Sequence, residues 1–290
     1  MISIIIPTFN NLDYLKLAIE SIQKNSKLPN EIILHVNEGN DGTLDYVKKN
    51  NYKFSYSKIN DGICVGCNKA ASISIYDLIL YAHDDMYFCP NWDQYLIEEV
   101  NKLNTKLFYF SGTMINGDPK LNGHLNFYAG ETAKTFDELR LLKNYMSLNC
   151  DDFQGSTWAP HLIHKEVWNK VGGFSVEFSP GTGSDPDLNM KLWKLGVRIF
   201  KGVSKSRVYH FGSVVTRQKE KNFFSITDTG NKGNKIFLKK WGISIRFFKK
   251  HYLRSDTKFE GLLKEPNKNI NYYLDLLKVK LTLFYIKLFN

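Results

Sequence analysis

The first hundred residues alternate between two kinds of hydrophobic pattern. Ser3–Pro7, "SIIIP", is a continuous apolar run that ends at a proline, the pattern of a strand buried on both faces. Leu12, Leu15, Ile19 and Ile22 then recur near the helical period, with Asn11 placed to cap the helix. "NEIILHV" predicts a second strand, and "DGTLDYVKKN" a short helix that Asp41 could cap. "KFSYSKI" alternates as a third strand, "VGCNKAASIS" is a helix rich in small residues, and "DLILYA" predicts a fourth strand. Strands separated by helices of this length imply βαβ units and a mostly parallel, Rossmann-type central sheet flanked by helices.

Sheets of that kind bind ligands outside the carboxyl ends of their strands. The residues that follow each predicted strand are polar: Thr8, Phe9 and Asn10; Asn37 and Glu38; Asn60 and Asp61; His83, Asp84 and Asp85. Two adjacent carboxylates repel, so their position at this edge raises the prospect of a bound cation. Capping of the "PNWDQYLIEEV" helix does not explain them, because that helix begins downstream, near Pro90.

The middle of the chain is less regular. "KLFYFSGTMI" predicts a strand, and Lys165–Val171 a short helix stopped by Gly172 and Gly173. "HLIH" is read as a strand carrying His161 and His164 on one face. "SPGTG" is read as a flexible loop or an ordinary linker, followed by a helix with Asp185 as N-cap and Pro186 at its first position. "SRVYHFGS" adds another strand. From about Lys219 onward the chain is expected to be helical, basic and aromatic.

Charge sharpens that last point. Residues 199–290 hold 20 lysines and arginines against 6 acidic residues, so the formal charge of +10 lies wholly in this third of the chain. A basic surface of this kind suits nucleic acid, an anionic membrane or an acidic polymer, or is a plain solvated face. No nucleic-acid recognition motif accompanies it, so no nucleic-acid partner is expected. The last twenty residues mix Leu, Phe and Tyr with Lys278, Lys280 and Lys287. They are too charged to span a bilayer but suit either packing on their own domain or a peripheral membrane contact. The opening apolar run is too short for a signal peptide. The four cysteines, Cys64, Cys67, Cys89 and Cys150, do not make a disulfide framework, which fits a reducing cytoplasm. Cys64 and Cys67 are expected to pack a helix rather than bind zinc.

Four of these segments, in order, resemble the family 2-type glycosyltransferases of the GT-A fold. "SIIIPTFNN" resembles the opening strand and nucleotide-contacting loop, and "AHDD" followed by Pro90 the acidic metal and nucleotide motif. "GSDPDLNMKLWKLGVRI" resembles the segment that holds the catalytic base, and "VYHFGS" a late metal-binding histidine. The resemblance covers about residues 1–217. It implies an inverting transfer of a sugar from a nucleotide-sugar donor to the hydroxyl of a glycan, polysaccharide or glycoconjugate, with a divalent cation, Mn²⁺ or Mg²⁺. By resemblance Asp185, or else Asp187, is the base. Asp85 and His210 hold the metal, and Asp84 holds the ribose or a metal-bound water. Pro7, Thr8, Phe9, Asn10, Asn37, Glu38, Asp61, Asn68, His83 and Arg217 line the donor, with Trp158 and His161 on the acceptor side. The physical chemistry agrees: a diphosphate leaves with added negative charge, which a hard cation on carboxylates can offset.

The chain departs from the family at Asn37, Cys67 and Ala82, where relatives often carry an acid, an arginine and an aspartate. Those changes bear on the nucleobase contacts, which are expected to shift to Glu38. The expected organisation is a nucleotide-sugar-binding half at 1–100, an acceptor and catalytic half at 101–217, and a basic helical region at 218–290. A nucleotidyltransferase would want a glycine-rich phosphate loop after the first strand, and "PTFNNLDYL" has none. A non-catalytic sugar- or nucleic-acid-binding protein would have no need of the acidic pair, the base and the histidine together.

Overall fold

A computed structural model describes residues 1–117, 125–155, 158–212, 228–255 and 257–289. Among them, ten strands form one sheet. In chain order they are β1 (Ile2–Phe9), β2 (Asn30–Asn37), β3 (Lys53–Ser57), β4 (Leu78–Tyr81), β5 (Met86–Phe88), β6 (Phe108–Asn116), β7 (Leu125–Asn126), β8 (Phe153–Gln154), β9 (His161–His164) and β10 (Ile199–His210). The main path runs β3-β2-β1-β4-β9-β6-β10-β5. β1, β2, β3 and β4 pair in parallel, as do β6 and β10, while β9 and β5 run antiparallel to their neighbours. This is the expected mixed α/β, GT-A-like architecture, built on a mostly parallel sheet.

The helices of the first half are α1 (Leu12–Asn25), α2 (Thr43–Lys49), α3 (Gly62–Ser72) and α4 (Trp92–Val100). α1 buries Leu15, Ala18, Ile19 and Ile22, the stripe its period predicts. Asn11 does stand at its N-cap position but makes no side-chain cap; Asp41 instead accepts the Leu12 N–H at 2.8 Å. α1 also grips β5: Asn25 Nδ2 donates to the Phe88 carbonyl at 2.7 Å, and Ser21 Oγ accepts the Phe88 N–H at 2.9 Å. α3 lies flat on the sheet because it is small-sided. A Cβ on Gly66 would fall 2.7 Å from the His35 ring and 3.1 Å from Pro7, so only glycine permits this approach. Cys64 and Cys67 are both fully buried on the same helix, as packing residues.

The second half adds α5 (Glu138–Asn144), α6 (Lys165–Val171) and α7 (Ser184–Leu195). α6 has the predicted bounds and ends at left-handed Gly172. α7 begins earlier than predicted. Gly183, left-handed at φ +84°, occupies the N-cap, and Asp185 and Pro186 sit inside the first turn. The reading of "HLIH" also needs correction. In a strand, residues three apart point to opposite faces. His161 is buried in the sheet, whereas His164 is partly exposed and caps α6 by accepting the Glu166 N–H.

The carboxy-terminal region folds back onto this core. It comprises α8 (Asp228–Trp241), α9 (Ile245–Phe248), a π-helical turn at Lys249–Leu253 and α10 (Ile270–Phe289). Phe237, Phe248 and Leu253 join the main core, while Leu238, Phe247, Tyr272, Val279 and Ile286 form a smaller cluster between α8, α9 and α10. Among the described residues no helix is long and apolar enough to cross a membrane.

Candidate active site

The acidic pair owes its place to the sheet order. β4 lies in the centre and β5 at the edge, so Ala82–Asp85 must cross the ends of the strands between them. The crossing is pinned on both sides: the Ala82 N–H donates to the Ile5 carbonyl at 3.1 Å, and the Phe211 N–H donates to the Asp85 carbonyl at 3.1 Å. Asp84 turns toward the end of β1. Burial, with the neighbouring Asp85 charge, pushes its carboxyl up to about 7, while the Thr8 hydroxyl and Asn11 amide favour its ionised form. Thr8 Oγ1 and Asn11 Nδ2 are buried and complete no hydrogen bond within the protein.

The rest of this edge is a small polar lattice. Asn10 and Glu38 both take left-handed backbone, at φ +45° and +59°, and Asn10 Nδ2 donates to Glu38 Oε2 at 3.2 Å. Asn37 Oδ1 accepts the Asp61 N–H at 2.9 Å, tying β2 to the start of α3. Asp61 accepts from Lys69 at 2.8 Å and from Ser57 at 2.6 Å, and the Lys69 hydrogen bond leads in holding it below the usual carboxylate range. Pro7 supports α3 through Gly66, and Phe9 closes β1.

Asp85 turns the other way and is 4% exposed. Its Oδ1 lies 3.3 Å from His210 Nε2 and 3.9 Å from His83 Nδ1. One ligand atom from each of these three residues falls within 4.8 Å of the others. His210 Nε2 is buried with no hydrogen-bond partner in the protein. One carboxylate and two imidazoles fit a divalent cation such as Mn²⁺, which accepts both oxygen and nitrogen donors. Burial first, and then His210, lowers the His83 imidazole to about 4, leaving it neutral and able to ligate.

The second carboxylate site faces this one across a row of rings. His83, Tyr81 and His161 follow one another at centroid separations of 5.4 Å and 5.0 Å. His161 is buried among Tyr109, Tyr81 and Phe174, and its Nε2 lies 3.4 Å from Asp185 Oδ1. The Asp185 side chain keeps 23% exposure. Asp187 is fully buried and spoken for. It accepts from Ser175 at 2.6 Å and Trp241 Nε1 at 2.8 Å, and pairs with Lys240 at 2.9 Å. So enclosed, Asp187 ties α7 to Ser175 and α8, and of the two carboxylates Asp185 is the one that keeps an exposed face.

Residues 3–158 match the family model described as glycosyl transferase family 2. The chain belongs to that family. Two curated relatives are an uncharacterized protein y4gI of Sinorhizobium fredii, 26% identical over 68% of this chain and 23% of the relative, and the O-antigen biosynthesis protein RfbC of Myxococcus xanthus, 24% identical over 72% and 17%. The chain thus spans about a fifth of the length of these relatives. Among solved structures, S. aureus TarS in complex with UDP-GlcNAc aligns over 89% of this chain and 68% of its own, with TM-score 0.55 and 13% identity. GalNAc-T7 with UDP, GalNAc and Mn²⁺ aligns over 72% and 43%, with TM-score 0.54 and 15% identity. These likenesses concern the fold.

Within this family 2 glycosyltransferase domain several of the expected site residues have surroundings other than those expected. His83 joins the metal-competent group, whereas Asp84 does not. Asn68 is used elsewhere. Its amide both donates to the Phe174 carbonyl at 2.8 Å and accepts the Phe174 N–H at 2.9 Å, so it links α3 to the chain before α7. Trp158 is half-buried against the core, with Lys249 Nζ 5.6 Å from its ring centroid. The "SPGTG" loop is anchored at its base, where the Ile63 N–H donates to the Pro180 carbonyl at 3.0 Å. Arg217, with Ser213 and Lys219, lies outside the described residues.

Proposed function

We propose that the domain catalyses an inverting, divalent-metal-dependent transfer of a sugar from a nucleotide-sugar to a hydroxyl of a glycan or glycoconjugate. The observation that carries this reading is the pairing of two unlike acidic sites joined by the His83, Tyr81 and His161 rings. Asp85 stands with His83 and His210 as a cation-binding group, and Asp185, partly exposed, stands against His161. A bound divalent cation would offset the charge that gathers on the departing diphosphate. Thr8, Asn11 and Asp84 hold the nucleoside end, with Asp84 facing two side-chain donors. Asp185 takes the proton of the acceptor hydroxyl, and His161 fixes the orientation of its carboxylate. TarS binding UDP-GlcNAc and GalNAc-T7 binding UDP and Mn²⁺ support a nucleotide-sugar donor and a metal. Inversion rests on the family resemblance. The nucleotide-sugar half at 1–100, the acceptor half at 101–217 and the helical region after 218 remain the proposed division of labour.

The test is a panel of nucleotide-sugars, each scored for thermal stabilisation and slow donor hydrolysis with and without Mn²⁺. Stabilisation and turnover by at least one donor, both dependent on Mn²⁺, are expected. Failure of every donor on both readouts would overturn the reading.

A further inference from the structure

α10 carries two apolar stripes. Tyr272, Leu276, Val279, Leu283 and Ile286 recur at spacings of three and four and pack inward with Leu238 and Phe247. Ile270, Tyr273, Leu274, Leu277, Leu281 and Phe284 recur with the same period on the opposite side, and all are exposed, from 51% at Leu274 to 74% at Ile270. Packing on the domain therefore explains only half of this helix. A continuous row of large exposed side chains over most of a 20-residue helix is far beyond the scattered apolar residues of an ordinary surface.

The surroundings of the row indicate what covers it. At 100° per residue, Lys278 falls on one flank and Lys280 on the other, and both are exposed. Beyond Lys278 the basic character continues: Arg246, Lys250 and Lys278 line one cavity between α9 and α10, and Arg246, Lys250 and Arg254 line a second of about 670 Å³ beside it. Asp275, paired with Lys250 at 2.7 Å, is the acidic residue of α10. An apolar stripe bordered on both sides by long cationic chains is the arrangement of a helix lying in a bilayer interface. There the row enters the acyl boundary while the lysine stems extend to the headgroups. A protein partner would bury the row equally well, but it would not call for cations along both margins and beyond.

We propose that the exposed face of α10 docks the protein, in the plane of the interface, on a membrane surface bearing anionic lipid. The inference stands on α10 and its neighbours and does not depend on the sugar-transfer reading. The test is co-sedimentation of the full chain with vesicles of phosphatidylcholine alone and with vesicles also containing phosphatidylglycerol. The comparison variants are Leu277→Ser/Leu281→Ser and Lys278→Glu/Lys280→Glu. All four side chains are exposed, and retention of the far-UV spectrum and melting profile confirms folding. Expected are salt-sensitive binding to the phosphatidylglycerol vesicles, roughly tenfold weaker binding to neutral ones, and a loss of roughly tenfold or more in each double variant. Absence of binding to anionic vesicles, or binding indifferent to Leu277→Ser/Leu281→Ser, would refute the proposal. So would a dimer of the parent chain that this variant dissociates, because a second copy would then be the occupant.

Discussion

Asp185 and Asp187 stand two residues apart in one helical turn, and their surroundings give them opposite fates. Asp185→Asn should leave folding and donor binding intact while lowering transfer at least ~10³-fold, the loss typical of a missing base. Asp187→Asn should behave in reverse. It removes the buried one of the two carboxylates paired with Lys240 and weakens the grip on Ser175 and Trp241, so stability should fall by ~2–4 kcal/mol in denaturant melts. His83→Ala should raise the Mn²⁺ concentration for half-maximal turnover by ~10-fold or more, while Asn68→Ala should act on stability and not on metal response. The residue types at these positions were legible in the sequence because unlike side chains at strand ends and loop-helix junctions announce chemistry. Their division was not. Which of two nearby carboxylates is buried depends on Trp241 and Lys240, more than fifty residues downstream. The true partner of Asn68 likewise lies 106 residues away.

At the scale of elements, α3 and β2 meet where the packing is tightest. Gly66→Ala should cost ~1–3 kcal/mol, since its methyl would press the His35 ring and Pro7. His35 itself makes a pH prediction. Burial first, and Lys69 second, lower its imidazole to about 4, against 6.5 in an unfolded chain. As pH falls through 6.5 the unfolded chain takes up a proton that the folded chain refuses. The stabilisation is therefore complete above pH 6.5 and lost between 6.5 and 4, by ~3 kcal/mol. Urea unfolding at stepped pH should show this decline in the parent and a shallower one in His35→Gln. The alternation of β1–β4 with α1–α3 could be read directly from the pattern of apolar residues, because β1 is buried along almost its whole length and α1 buries one continuous stripe. β5 was missed, since its three residues are too few to show a period and are held by Asn25, Ser21 and β10. The α7 start was misplaced for a related reason: a left-handed glycine can begin a helix without a capping side chain.

For the whole molecule, the matched family region ends at residue 158, yet the site does not. His161, Asp185 and His210 come later, and α8 reaches back to hold α7, the helix that carries Asp185, through Trp241 and Lys240. A chain cut after residue 227 should therefore lose solubility or melt early, although it keeps every proposed ligand and the proposed base. A chain cut after residue 269 keeps both contacts and should retain more of the parent melting temperature. Parallel melting curves of the two truncations would separate these outcomes. The basic charge of this region was plain from composition, but its role as a clamp on α7 was not, because two side chains carry it.

The buried ring of His161 sets folding against the proposed function. Its Nδ1 lacks a hydrogen-bond partner and its Nε2 has only the 3.4 Å approach to Asp185 Oδ1, in an otherwise aromatic setting that would accept a phenyl ring with little change of shape. An imidazole kept there costs the fold about 1–3 kcal/mol. His161→Phe should accordingly melt higher than the parent and turn over more slowly. Any search that selects variants of this protein for thermal endurance alone would then tend to erase its chemistry, beginning at this position.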